Sequence, residues 1–201
     1  MIDCIYPSFK HWVEKGAIYL IGDPHFGDKD RKYIDANWPT EEEQVARIKR
    51  KAGKNDTIVV LGDVGDSSYM SLIKARKILV KGNHDKGNSI YKHDFDEIYD
   101  GPLFISDKIL LSHEPIDLPF ALNIHGHCHG GNFWSANSQG LINRINLASD
   151  VCKYEPRNLK DFIKDGRLKE IPTIHQLTIA AASGCTYIYT EEGGIEQCII
   201  I

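Results

Sequence analysis

The sequence predicts an α/β (α+β) fold, a β-sandwich with helices outside it, and three observations carry that expectation. Short apolar runs at 17–21, 57–61 and 78–80 stop at or just before glycines, as strands buried on both faces do. A stretch with helical spacing follows the first run, as a crossover between parallel strands requires. Beyond Gly82 the pattern changes to strand candidates separated by turns. At 201 residues the chain fits one domain spanning 1–201.

The first run ends at Gly22 and the second at Gly62, so each points its C-terminal end at a loop rich in Asp and His. Between them, Thr40 with Glu43 forms a capping box. Val45, Ile48 and Ala52 then share one helical face, with acidic residues opening the helix and Arg47, Lys49, Arg50 and Lys51 closing it, as its dipole favours. Residues 69–77 read as a second helix feeding the run at 78–80. In the second half, 102–106, 108–111, 121–124 and 141–147 read as strands joined more by hairpins than by crossovers, and 158–164 as a helix ended by Gly166. From about residue 171 the chain reads as a β-rich extension, with Gly193-Gly194 as its turn and three isoleucines at 199–201.

Composition narrows the function classes. A formal charge of −4 gives no basic footprint for a duplex nucleic acid, although a nucleotide is compatible with it. Five cysteines with no Cys-x-x-Cys pair argue against a disulfide framework and against a thiolate zinc site. No stretch has the length of a signal-peptide core or approaches the roughly 18 apolar residues of a membrane span, so a cytoplasmic protein with no membrane partner is expected.

Five clusters occur in order: Asp23-Pro24-His25, Gly62-Asp63, Gly82-Asn83-His84-Asp85, Ser112-His113-Glu114 and Gly126-His127-Cys128-His129. Each alone is an ordinary loop. Together they offer the mixed oxygen and nitrogen donors of a two-metal phosphoester-cleaving centre. A carboxylate at a strand end, such as Asp63, can hold two ions at once, and the pair can lower the pKa of a shared water to give a bridging hydroxide. Mn²⁺ is the best match for these donors, and Fe²⁺, Zn²⁺, Co²⁺ and Ni²⁺ are compatible. Asn83 would bind a metal without adding charge against an anionic substrate. His84 is the candidate for meeting the charge on the leaving oxygen, with Asp85 beside it to orient the imidazole. Alternate histidines at a strand end face one side, which makes His127 and His129 the sharpest local signal, while His125 is expected to serve structurally.

The ordered set resembles the calcineurin-like metallophosphoesterase superfamily, whose motifs are Asp-x-His, Gly-Asp, Gly-Asn-His-Asp/Glu, a lone His and Gly-His-x-His. The resemblance covers roughly residues 17 to 156, and 146–156 is similar to small bacterial and phage members. It implies a four-layer sandwich of two mixed β-sheets flanked by helices. It also implies one ion on Asp23, His25, Asp63 and His129, a second on Asp63, Asn83, His113 and His127, and His84 as the catalytic histidine that holds no metal. Protein serine/threonine phosphatases of the superfamily follow Gly-Asp with Asp-Arg-Gly, whereas Val64-Gly65-Asp66-Ser67 stands here, so that activity is disfavoured. The expected function is hydrolysis of a small phosphomonoester or phosphodiester by a dinuclear centre. The alternatives are a nuclease on single-stranded nucleic acid and a non-catalytic scaffold of the same fold.

Overall fold

In the computed structural model, residues 4–189 and 195–200 are described. The first sheet is built from β1 (Ile18–Ile21), β2 (Thr57–Leu61), β3 (Arg76–Val80) and β4 (Glu97–Tyr99), all parallel and adjacent in that order. β10 (Arg157–Asn158) closes its other edge, antiparallel to β1. β2 is buried at every position, which is why this segment reads as an unbroken apolar run rather than an alternating one. In the second sheet β5 (Leu103–Ser106), β6 (Ile109–Leu111), β7 (Leu122–His125), β9 (Ile142–Asn146) and β8 (Trp134–Ala136) lie in that spatial order. Its inner strands β6, β7 and β9 are parallel and its edge strands antiparallel. The fold is therefore two mixed five-stranded sheets with helices around them, as expected.

Helices occupy the connections. α1 (Arg31–Ile34) and α2 (Glu41–Lys51) lie between β1 and β2, and α3 (Asn88–Tyr91) between β3 and β4. α4 (Leu159–Lys164), α5 (Arg167–Glu170) and α6 (Ile174–Ala182) follow β10, and a hairpin of β11 (Cys185–Tyr189) and β12 (Ile195–Ile200) comes last. The capping box at α2 forms as predicted: Thr40 Oγ1 accepts from the Glu43 N–H and Glu43 Oε2 from the Thr40 N–H. Val45, Ile48 and Ala52 are buried on its inner face. One contiguous core joins both sheets, with Leu20, Val59 and Leu79 in the same cluster as Leu111, Ile124 and Ile145. No helix among the described residues is long and apolar enough to cross a membrane.

One expectation is corrected and two are refined. Residues 69–77 are not a helix: Asp66 caps a short 3₁₀ segment at Ser67–Leu72, and the chain is already extended from Arg76, where the ladder with Thr57 begins. The second half mixes hairpins and crossovers: β5–β6 and β8–β9 are antiparallel, but β6, β7 and β9 pair in parallel, with β6 and β7 buried at every position. The extension opens with a helix ahead of its hairpin: Thr173 and Gln176 form a second capping box that starts α6, a signal present in the sequence as Thr-x-x-Gln, and β11 pairs with β12 after it. The Gly193-Gly194 turn and Ile201 lie outside the described residues.

Candidate metal centre

The parallel strands of both sheets end on one side of the molecule, and all candidate ligands follow the C-terminal ends of five of them. This is where open α/β sheets place their ligands. Asp23 and His25 follow β1, Asp63 follows β2, Asn83 and His84 follow β3, His113 follows β6, and His127 and His129 follow β7. Backbone bonds zip these loops together past the strands. Asp23 N–H donates to the Gly62 carbonyl, His25 N–H to that of Asp63 and Phe26 N–H to that of Val64. The sheets meet where Gly22 N–H donates to the Leu147 carbonyl at 2.7 Å.

Asp23, His25, Asp63 and His127 hold left-handed φ values of 54°, 45°, 51° and 65°. Few non-glycine residues adopt that region, and each costs on the order of 1–3 kcal/mol unless its surroundings impose it. Glycines make the close approaches. A Cβ on Gly82 would stand 2.4 Å from Asp63 Oδ1, and one on Gly62 would stand 2.5 Å from His113 Nδ1.

Two three-residue groups present atoms close enough to share an ion: Asp23, His25 and His129 form one, and Asp63, His113 and His127 the other. In the first, His129 Nδ1 lies 2.7 Å from Asp150 and His25 Nδ1 lies 3.3 Å from Asp28. The Asp150 carboxylate can only accept, so His129 Nδ1 donates to it, and the Nε2 atoms of His129 and His25 stand 3.3 Å apart. In the second, His113 Nδ1 donates to the Leu61 carbonyl at 3.0 Å, the tautomer that in a neutral ring places the lone pair on Nε2. Around that nitrogen stand Asn83 Oδ1 at 2.8 Å, His127 Nδ1 at 3.1 Å and Asp63 Oδ2 at 3.4 Å.

Lone pairs converging in this way repel one another unless a cation sits among them. Two nitrogens bound to one ion at about 2.1 Å lie about 3.0 to 3.4 Å apart over the angles between square and tetrahedral geometry. The two nitrogen pairs, His113–His127 at 3.1 Å and His25–His129 at 3.3 Å, fall in that range. The charges agree: among the described residues no lysine or arginine pairs with Asp23, Asp63, Asp85 or Asp150. Asp23 is fully buried, its Oδ1 has no hydrogen-bond partner, and its Oδ2 accepts from the His127 N–H at 2.8 Å. Burial pushes its carboxyl well above the usual range, and repulsion from Asp63, Asp150 and Asp85 adds to the effect against that one hydrogen bond. Burial also lowers the His25 imidazole, which favours the neutral, metal-binding form. The residues therefore fit two divalent cations.

The hydrogen bonds of Asp85 run to backbone and to Tyr91. Its oxygens accept from the backbone N–H groups of Asp63, Val64 and Gly82 and from the Tyr91 hydroxyl, so it fastens the β2 and β3 loops together. The His84 N–H donates to Asp63 Oδ1 at 3.0 Å, whereas its ring makes no hydrogen bond among the described residues and faces a cleft of about 480 Å³. Phe26, Lys86, Ile90 and Tyr91 line the same cleft. His125 is buried with Nδ1 on the Gly126 carbonyl, and burial lowers its pKa to about 4.

Two supporting residues carry no sequence motif. Asp150 lies in the loop after β9 and bonds His129, and Trp38 packs edge-on against both His25 and His129 at 5.9 and 5.8 Å between ring centroids. Asp150 was findable, because 141–147 is a predicted strand whose C-terminal end had been given no ligand. Trp38 sits in an irregular loop, 13 residues after His25, and nothing local marks it.

The chain is similar to a crystal structure described as a protein of unknown function, AQ665, from Aquifex aeolicus. Identity is 27% over 74% of this chain and 98% of that one, with a TM-score of 0.64. Similarity to the Pseudomonas putida nuclease MPE is lower, at 23% identity over 58% of this chain and 63% of that one, with a TM-score of 0.44. No curated protein gives a significant match. A family model described as calcineurin-like phosphoesterase matches residues 16–193, a span that takes in every strand end around the two clusters. By that match the chain belongs to the calcineurin-like phosphoesterase family, whose members are metal-dependent phosphoester hydrolases.

Proposed function

We propose that this chain hydrolyses a small phosphomonoester or phosphodiester with two adjacent divalent transition-metal ions. Asp23, His25, Asp63 and His129 would hold one, and Asp63, Asn83, His113 and His127 the other, with Mn²⁺ the best match for the mixed donors. The observation that supports this most directly is the convergence of Asn83, His127 and Asp63 on His113 Nε2, at 2.8, 3.1 and 3.4 Å. When bound, such ions supply Lewis acidity, lowering the pKa of a water and drawing charge from the phosphoryl oxygens.

The chain's own groups account for the rest. Asp85 fixes the backbone of Asp63, so the carboxylate common to both ligand sets is held from behind. Asn83 contributes an oxygen without charge, which spares an anionic substrate further repulsion beside the buried aspartates. His84 stands at the cleft with its ring uncommitted and offers a proton to the leaving oxygen. The cleft is in the size range of small-ligand pockets, and Lys86 gives it one cation.

The test is a panel of p-nitrophenyl phosphate, bis-p-nitrophenyl phosphate and single-stranded DNA with added Mn²⁺. Hydrolysis of at least one nitrophenyl ester is expected, abolished by a chelator with the fold retained by circular dichroism. Salt-sensitive cleavage of the DNA alone would transfer the assignment to a nuclease. Absence of turnover on all three, with each transition metal tried, would leave a non-catalytic scaffold.

A further inference from the structure

We propose that Asp150 is a positioning residue that sets the tautomer of His129 and makes the Asp23–His25–His129 pocket the tighter of the two cation sites. The inference rests on the metal-centre reading above. Asp150 Oδ1 lies 2.7 Å from His129 Nδ1, and its Oδ2 accepts from the Gly130 N–H at 2.6 Å. One carboxylate therefore pins both the ring and the backbone that follows it. With the proton held on Nδ1, the His129 Nε2 lone pair points at His25 Nε2, 3.3 Å away.

The other pocket is supported differently. His113 rests on a neutral carbonyl, that of Leu61, and the additional oxygen beside it comes from Asn83, which is also neutral. The His129 ring thus has a carboxylate in hydrogen-bond contact behind it, whereas the nearest carboxylate outside the His113 pocket's own ligands, Asp23 Oδ1, stands 3.6 Å from His113 Nδ1, beyond hydrogen-bond distance. Burial strengthens the asymmetry. The Asp150 side chain is 10% exposed, and Trp38, at 1% exposure, packs against both histidines and keeps water from that flank. A carboxylate behind a ligating imidazole raises its basicity and fixes its orientation, and loss of such a partner typically costs about 10- to 100-fold in metal affinity.

The test compares wild type with Asp150→Asn and Asp150→Ala by calorimetric titration of the metal-free chain with Mn²⁺. Two binding events are expected in wild type. In Asp150→Ala the tighter should weaken by about 10- to 100-fold with the weaker unchanged, and Asp150→Asn should fall between. A second readout needs no metal: the imidazole ¹⁵N shifts of His129 at pH 8 should report an Nδ1–H ring in wild type and a mainly Nε2–H ring in Asp150→Ala. Unchanged affinities and an unchanged tautomer would overturn the role of Asp150 alone. An equal fall in both affinities, in step with a lower melting temperature of the metal-free variants, would reduce Asp150 to loop support and also overturn it. A wild-type chain that takes up no Mn²⁺ would overturn the metal-centre reading and this inference with it.

Discussion

Gly126→Ala isolates the close approach on which the centre depends. A Cβ at 126 would stand 2.4 Å from Asp23 Oδ2 and 2.9 Å from the Leu61 carbonyl oxygen. Gly126 is not among the residues with positive φ, so alanine meets no torsional obstacle and the effect is steric. Ordinary contact begins at 3.4 Å, which asks for 1.0 Å of movement. The Leu61 carbonyl belongs to the backbone at the end of β2 and cannot yield, so the backbone at 126 must back away from it by a few tenths of an ångström while the Asp23 carboxylate turns aside, losing the His127 N–H bond. A displacement of about 1 Å in a group that positions the reaction costs roughly 10²-fold. We expect kcat/KM on bis-p-nitrophenyl phosphate to fall by about that factor, Mn²⁺ content to drop from two ions toward one, and the circular dichroism spectrum to be preserved. Gly53→Ala is the control, since its Cβ would meet Asp56 at an ordinary 3.6 Å after α2. Wild-type turnover and full metal content in Gly126→Ala would refute the claim that this contact seats Asp23.

His84→Ala should retain both ions and slow hydrolysis by about 10²- to 10⁴-fold on alkyl esters, with little loss on nitrophenyl esters, whose leaving groups need no proton. An unchanged rate on an alkyl ester removes His84 from the reaction. Glu41→Gln probes the loop over the first pocket. Glu41 accepts from Arg31 at 2.6 Å, Arg31 donates to the His25 carbonyl, and the ion pair holds the Glu41 pKa down at about 2, below its ordinary value of 4.5. A depressed folded-state pKa contributes stability that is complete above pH 4.5 and lost as pH falls toward 2. The melting-temperature gap between wild type and Glu41→Gln should therefore be open at pH 7 and close across that window. A gap that persists unchanged at pH 2 would show that the ion pair is not its source.

The parts of this molecule legible in the sequence are those where one local rule decides. The runs at 17–21, 57–61 and 78–80 are apolar throughout because their strands are buried on both faces, and Thr40 with Glu43 starts α2 by bonds within four residues. The candidate ligands were legible because metal chemistry restricts them to Asp, Asn and His beside glycine. What escaped was set by contacts distant in sequence. β6, β7 and β9 lie in parallel because long connections return the chain to the same edge, and no local spacing records that choice. The Asp85 role escaped for the same reason: its nearest neighbour in sequence is His84, but its hydrogen-bond partners Asp63 and Val64 come from another loop.

Why a centre of this kind belongs at strand ends follows from the strain it carries. Four candidate ligands sit in left-handed backbone, and carboxylates are buried together with no lysine or arginine among the described residues to pair them. A freely hinged loop would relax out of both conditions by turning its side chains to water. Here it cannot, because each strained residue is bracketed by ladder bonds that continue past its strand, such as His25 N–H to the Asp63 carbonyl and Gly126 N–H to that of His113. The stability of the two sheets thus holds the repelling donor atoms at 2.8 to 3.4 Å, and divalent cations are what that arrangement accommodates.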